Sequence, residues 1–225
     1  MKALIIYLSI LCFVIHTCQS KKEERHEKDK TNTTVEKFDF DVFKKYQESN
    51  GILEVKNGST ILSMSAPAQE EIGTMEELLP KPSFLYAYKE FYPNGNLKKK
   101  ETRISETVKV KNSEYYNKDG KLEKTVDEEK NYGKIKYQEV LNFLDRKGYI
   151  NLKTGAGRLN DDGTLKYDIM YDHKIPAWNI IIMQGEKLSE KELMEIMKNS
   201  PGEPNAWRSV VYQMDANTGK IINEK

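Results

Sequence analysis

The sequence predicts an exported α+β protein, in which an antiparallel β-meander is followed by a helix-on-antiparallel-sheet module. Three observations predict it. The chain opens on an apolar run bounded by charge. Residues 84–130 contain two units of aromatic strand, glycine turn and Leu-led strand. Residues 131–225 join an amphipathic helix pattern to β-prone runs separated by turn residues.

Lys2 precedes a nearly unbroken apolar stretch from Ala3 to Ile15, and Lys21-Lys22-Glu23-Glu24-Arg25 follows. That is the three-part form of a secretory signal over residues 1–20. A spanning helix needs about 20 apolar residues, and this run is shorter. Two readings compete at its end. In one, cleavage falls before Cys18, which then carries lipid and anchors the chain to a membrane. In the other, cleavage falls after Ser20 and the chain is released. Residues 21–37 are almost wholly polar and read as a disordered tether.

Cys12 and Cys18 are the only cysteines, so the exported body has no internal disulfide, no thiol nucleophile and no zinc-cysteine cluster. With Lys2 set aside, 35 Lys and Arg face 35 Asp and Glu. That balance argues against nucleic-acid binding, which needs a basic stripe. Lys98-Lys99-Lys100 reads as a solvated strand that discourages edge pairing.

Within residues 38–83, Asp41 is placed to cap a short helix ending at Asn50-Gly51. Asn57-Gly58 between two β-prone runs predicts a hairpin. Residues 66–83 hold Pro67, Pro80 and Pro82 around an acidic middle, read as a loop or a weak helix around residues 75–79, and are expected to form a joint between modules.

In residues 84–130, Phe91-Tyr92-Pro93-Asn94-Gly95-Asn96-Leu97 returns as Tyr116-Asn117-Lys118-Asp119-Gly120-Lys121-Leu122, with the glycines 25 residues apart. Tyr115 precedes the second unit. Two such units predict a four-stranded meander. They resemble the MORN-like hairpin repeats of bacterial envelope proteins, and that resemblance implies a scaffold or binding surface with Tyr92, Tyr115 and Tyr116 as contact residues.

In residues 131–225, Tyr137, Val140, Leu141 and Leu144 form one helical face, stopped by Gly148. Strands are expected over 149–153, 164–171 and 177–183. Ser189 with Glu192 forms a capping box for a second helix, and Pro201-Gly202 ends it. Strands over 207–214 and 220–223 close the chain around a turn. That tail, Asp215-Ala216-Asn217-Thr218-Gly219-Lys220, resembles the end of PepSY-type modules, in which a helix packs on a sheet. The resemblance implies a small exported domain that binds or restrains a peptidase.

Candidate chemistry is sparse. Asp172-His173, with Asp168 nearby, is the one acid–histidine pairing in the body, and no Gly-x-Ser-x-Gly elbow accompanies it. The 215–219 segment lacks ligands that a calcium loop requires. Gly155-Ala156-Gly157 lacks the third glycine of a dinucleotide loop. Trp178 and Trp207 each fill a core or line a cleft. The expectation is a noncatalytic envelope lipoprotein, without metal or cofactor, that acts as a binding or scaffold module for a protein or peptide. The alternative is a periplasmic or secreted inhibitor or immunity protein acting on a peptidase or toxin.

Overall fold

The computed structural model describes residues 35–161, 163–199 and 205–225, so the leader, Cys18 and the 201–202 helix stop lie outside the described residues. Seven strands pair antiparallel in chain order: β1 (Leu53–Glu54), β2 (Thr60–Ser65), β3 (Gly73–Leu78), β4 (Tyr86–Phe91), β5 (Leu97–Arg103), β6 (Lys109–Tyr116) and β7 (Leu122–Asp127). Three of their turns close identically. The amides of Val55, Tyr92 and Asn117 donate to the carbonyls of Ser59, Asn96 and Lys121 at 2.9, 2.8 and 2.9 Å. The glycine before each acceptor has φ near +80° (Gly58, Gly95 and Gly120), a conformation that costs other residues about 1 kcal/mol or more. The two sequence repeats thus share one turn, and the first hairpin is a third copy of it.

The meander is longer than expected. The 66–83 segment is not a joint and holds no helix at 75–79, because β3 lies within it and fills the sheet between β2 and β4. Its prolines all fall outside the strand, so they do not interrupt the ladder. Lys98-Lys99-Lys100 lies in β5, an inner strand, so these lysines protect no edge. They are neutralised instead, as described below.

Helix α1 (Phe40–Glu48) is capped by Asp39, whose Oδ1 accepts from the Val42 amide at 2.9 Å, two residues before the expected cap. Its Val42, Phe43 and Tyr46 pack on a small core of Phe38, Ile61, Met64, Phe91 and Leu97. The last residues of the expected tether belong to this body. Lys37 bridges to Asn96, the Phe38 amide donates to the Gly95 carbonyl at 2.8 Å, and the Leu97 amide donates to Glu36 at 2.9 Å.

A second sheet has the order β11-β10-β9-β8, from β8 (Tyr167–Asp172), β9 (Ala177–Lys187), β10 (Trp207–Asp215) and β11 (Ile221–Glu224). Helix α2 (Tyr137–Arg146) buries the expected face, Tyr137, Val140, Leu141 and Leu144, together with Phe143. These pack with Ile169, Trp178, Ile180, Ile182, Tyr212 and Met214 of the sheet and with Phe84, Leu85, Ile104, Val108 and Val110 of the meander region. The two sheets therefore share one core within a single unit, Val35–Lys225. A bond across them adds to it, from Ser105 Oγ to the Ile169 carbonyl, and the Tyr132 hydroxyl, from the segment between the sheets, donates to the Lys109 carbonyl. The expected strand over 149–153 is absent. That segment turns at an isolated Asn151–Ala156 bridge, tied by Asn151 Oδ1 to the amides of Lys153 and Thr154. Among the described residues, no helix is long and apolar enough to cross a membrane.

Candidate binding surfaces

The tyrosines expected to bind a partner do not form one surface. The Tyr92 hydroxyl donates to the Tyr116 carbonyl at 2.8 Å, and Asn94 and Asn96 donate to the Lys118 carbonyl, each at 2.8 Å. One turn thereby holds the next. Tyr116 packs on the α1 core, and its hydroxyl donates to Glu114 at 2.6 Å; burial, and then that bond, push the phenol well above its ordinary pKa. Tyr115 has other surroundings: it pairs across the sheet with Lys99 and Lys124, and the Lys124 ammonium lies 5.7 Å from its ring centre. All three rings are half-buried.

Beside Tyr115 runs a ladder of charge. Glu101 on β5 has no exposed side-chain surface. Its Oε2 accepts from Arg103 Nη2 at 2.5 Å, and its Oε1 lies 2.8 Å from Lys109 Nζ and 3.4 Å from Lys99 Nζ. Burial pushes the carboxyl up, and the hydrogen bonds from Lys109 and Arg103 outweigh this, so it stays below the ordinary range. Glu90 takes Lys98 and Lys99 at 3.0 and 2.7 Å, while Arg103 stacks 3.9 Å from the centre of the Tyr88 ring. The ladder accounts for two of the three consecutive lysines. Lys100 reaches Glu36 at 3.6 Å.

A cleft of about 640 Å³ opens between α1 and the first hairpin, with Leu53, Ile61, Met75 and Phe91 among its walls. Lys89 stands in it, 2.7 Å from Glu36 and 3.1 Å from Glu77. Ser59, fully buried, places Oγ 2.5 Å from Glu77 Oε1 and 2.6 Å from Asn57 Oδ1. A serine and a buried lysine on the two oxygens of one carboxylate invite comparison with nucleophile–base pairs. The charges point elsewhere. Burial lowers the Lys89 pKa, and Glu36 and Glu77 more than reverse this, so the amine is held as ammonium and has no lone pair for the serine proton. Ser59, Asn57, Glu77, Lys89 and Glu36 satisfy one another in a chain of polar contacts.

Trp178, expected to bind or to fill a core, fills the core. It has no exposed surface, touches Tyr132 and Tyr171, and donates from Nε1 to the Ile135 carbonyl at 3.0 Å. His173 is exposed beside the rings of Tyr132 and Tyr171. Asp172 does not orient it: its Oδ1 accepts from the amides of Lys174 and Ile175. Asp215 likewise accepts from Asn217 and Thr218, an ordinary turn, which holds its carboxyl low.

Trp207 is half-buried and pairs with Lys187 where β9 and β10 run on past both neighbours as a two-stranded ribbon. The ribbon carries helix α3 (Glu190–Asn199). The capping box forms, with the Ser189 amide donating to Glu192 Oε2 at 2.9 Å and its hydroxyl at 2.6 Å. Arg208 on the ribbon holds Glu192 Oε1 at 2.9 Å. Yet α3 buries none of its residues. Met194 is 60% exposed and Met197 57%, and Ile196 is also exposed. Periodicity located this helix, but periodicity does not say whether anything covers its apolar side.

Compared with known proteins, the chain matches no family model, no curated protein and no solved structure at a significant level.

Proposed function

We propose that the protein is a noncatalytic, lipid-anchored binding module of the cell envelope, and that it takes a protein partner on the arm formed by the β9–β10 ribbon and α3. The observation that carries this reading is α3, an amphipathic helix held in place by its cap and by Arg208 with its apolar side uncovered. Leu193, Ile196 and Met197 sit at i, i+3 and i+4, the anchor spacing of a helix laid into a groove. Methionine suits such a surface because its unbranched thioether adapts to a partner's shape. Charges on the helix nearly balance: Glu190, Glu192 and Glu195 against Lys191 and Lys198. The partner is accordingly recognised through an apolar groove more than through a charged face.

The MORN-like reading of residues 84–130 is supported by the identical turns. The PepSY-like reading of 131–225 is supported by α2 lying on a sheet whose last two strands, β10 and β11, join through the 215–219 turn. Both resemblances favour binding over chemistry.

The test is photocrosslinking in native membranes, with the photoreactive residue at Met194 or, for comparison, at Tyr115. Capture of one protein from position 194, abolished by Ile196→Glu with Met197→Glu, is expected. Capture from position 115 alone, or a product of twice the chain mass, would overturn the reading. Intact mass gives the anchor: a chain beginning at acylated Cys18 is expected, and an unmodified chain beginning at Lys21 would make the protein periplasmic or secreted. A captured peptidase that loses activity in the complex would turn the binding module into an inhibitor.

A further inference from the structure

Arg158 is buried, with 6% of its surface exposed, and no carboxylate pairs with it among the described residues. A guanidinium taken out of water is normally compensated by an anion. Here Nη1 donates to the Leu79 carbonyl at 2.6 Å and to the Ser83 carbonyl at 2.7 Å. Those bonds use both Nη1 protons and fix the plane of the group. Nε and Nη2 make no hydrogen bond to a described residue. That edge is the fork that takes a carboxylate or phosphate through two parallel bonds. Burial pulls the guanidinium below its ordinary pKa, a cost that a bound anion would relieve.

Arg158 lines a cavity of about 540 Å³ whose wall includes Lys81, Asn57, Thr60 and Glu54. Lys81 makes no ion pair with a described residue. The preceding loop presses close to its neighbours. Gly157 has φ +87°, and a Cβ there would lie 2.4 Å from the Tyr149 carbonyl oxygen, so backbone fit sets where Arg158 stands.

We propose that this cavity binds a small oxyanion, a carboxylate or a phosphate, through the free edge of Arg158 and through Lys81. Asn57 and Thr60 supply further polar contacts. Glu54, the one carboxylate on the wall, restricts the ligand to a single compact anionic group and disfavours extended polyanions.

The test is thermal melting of the full chain in sodium phosphate or sodium acetate, each against sodium chloride of equal ionic strength. At least one anion is expected to give a saturable rise in Tm, and the one that does so identifies the chemistry. Lys81→Gln is expected to weaken binding about tenfold without changing Tm in chloride. Glu54→Gln is expected to tighten it. Arg158→Lys keeps the charge, loses the fork and is expected to abolish the rise; if that variant does not fold, the Lys81 and Glu54 variants still read the site. No saturable rise beyond chloride would overturn the proposal. So would a rise that Lys81→Gln and Glu54→Gln both leave unchanged, since Arg158 would then be only a strut between two loops.

Discussion

Glu101 sits without exposed surface on an inner strand, and its neighbours Lys99, Arg103 and Lys109 are all cationic. Removing its charge leaves those three cations facing one another. Glu101→Gln is therefore expected to lower the unfolding free energy by about 3 kcal/mol, measured by urea denaturation at pH 7. Glu77, Glu90 and Glu101 are all held below the ordinary carboxylate pKa, their partners outweighing burial. Stability from these groups is present above about pH 4.5 and is lost as pH falls through their folded-state values. Glu101→Gln should flatten that acid limb. Lys111 presents the opposite case: an exposed lysine with φ +59° on β6. Lys111→Gly relieves that backbone strain and is expected to stabilise the fold by about 1 kcal/mol in the same assay. The sequence made Lys98-Lys99-Lys100 visible as a basic run, but not its partners, because pairing across strands depends on register.

At the scale of elements, α2 and α3 look alike in sequence, ten residues each with an apolar stripe. Packing separates them. Leu144 on α2 is fully buried, and Leu144→Ala is expected to cost about 3 kcal/mol. Met197 on α3 is more than half exposed, and Met197→Ala should change stability by less than about 0.5 kcal/mol. Urea titration of both variants checks the contrast. Residues 66–83 were legible only in part: their prolines mark turns correctly, while β3 between them alternates weakly, with Met75 and Glu77 on one side and Glu76 and Leu78 on the other. The burial of Glu77 becomes intelligible only once Lys89 is placed beside it by β4.

Across the whole molecule, the fold class was legible because periodicity, turn residues and capping agree. The sharing of one core by both sheets was not, because Ile104 and Val110 give no sign that they meet Val140 and Ile180. Shared burial predicts one cooperative transition. Far-UV circular dichroism and the fluorescence of buried Trp178 should change at the same urea concentration; two separated midpoints would mean that the sheets fold independently. An alkaline limb is also expected. Burial holds the Tyr132 and Tyr149 phenols up to about 12, so the stability they contribute is full below about pH 10 and is lost as pH rises toward those values. Of the candidate site, Trp207 and the Ser189 cap were visible in sequence. The uncovered state of α3 and the uncompensated charge of Arg158 were not, since both concern what fails to lie beside a residue.

The docking of Glu36, Lys37 and Phe38 against the Gly95 turn has a mechanical meaning. A pull applied upstream of Val35 reaches the body through the amide of Phe38, the carbonyl of Glu36 and the Glu36–Lys89 ion pair. Lys89 stands within β4, Lys100 within β5, and Phe38 is buried against Phe91, so such a pull passes at once into inner strands and the small core. The entry segment is a stiff coupling: tension on the chain ahead of it is transmitted to the small core and cannot be taken up by slack.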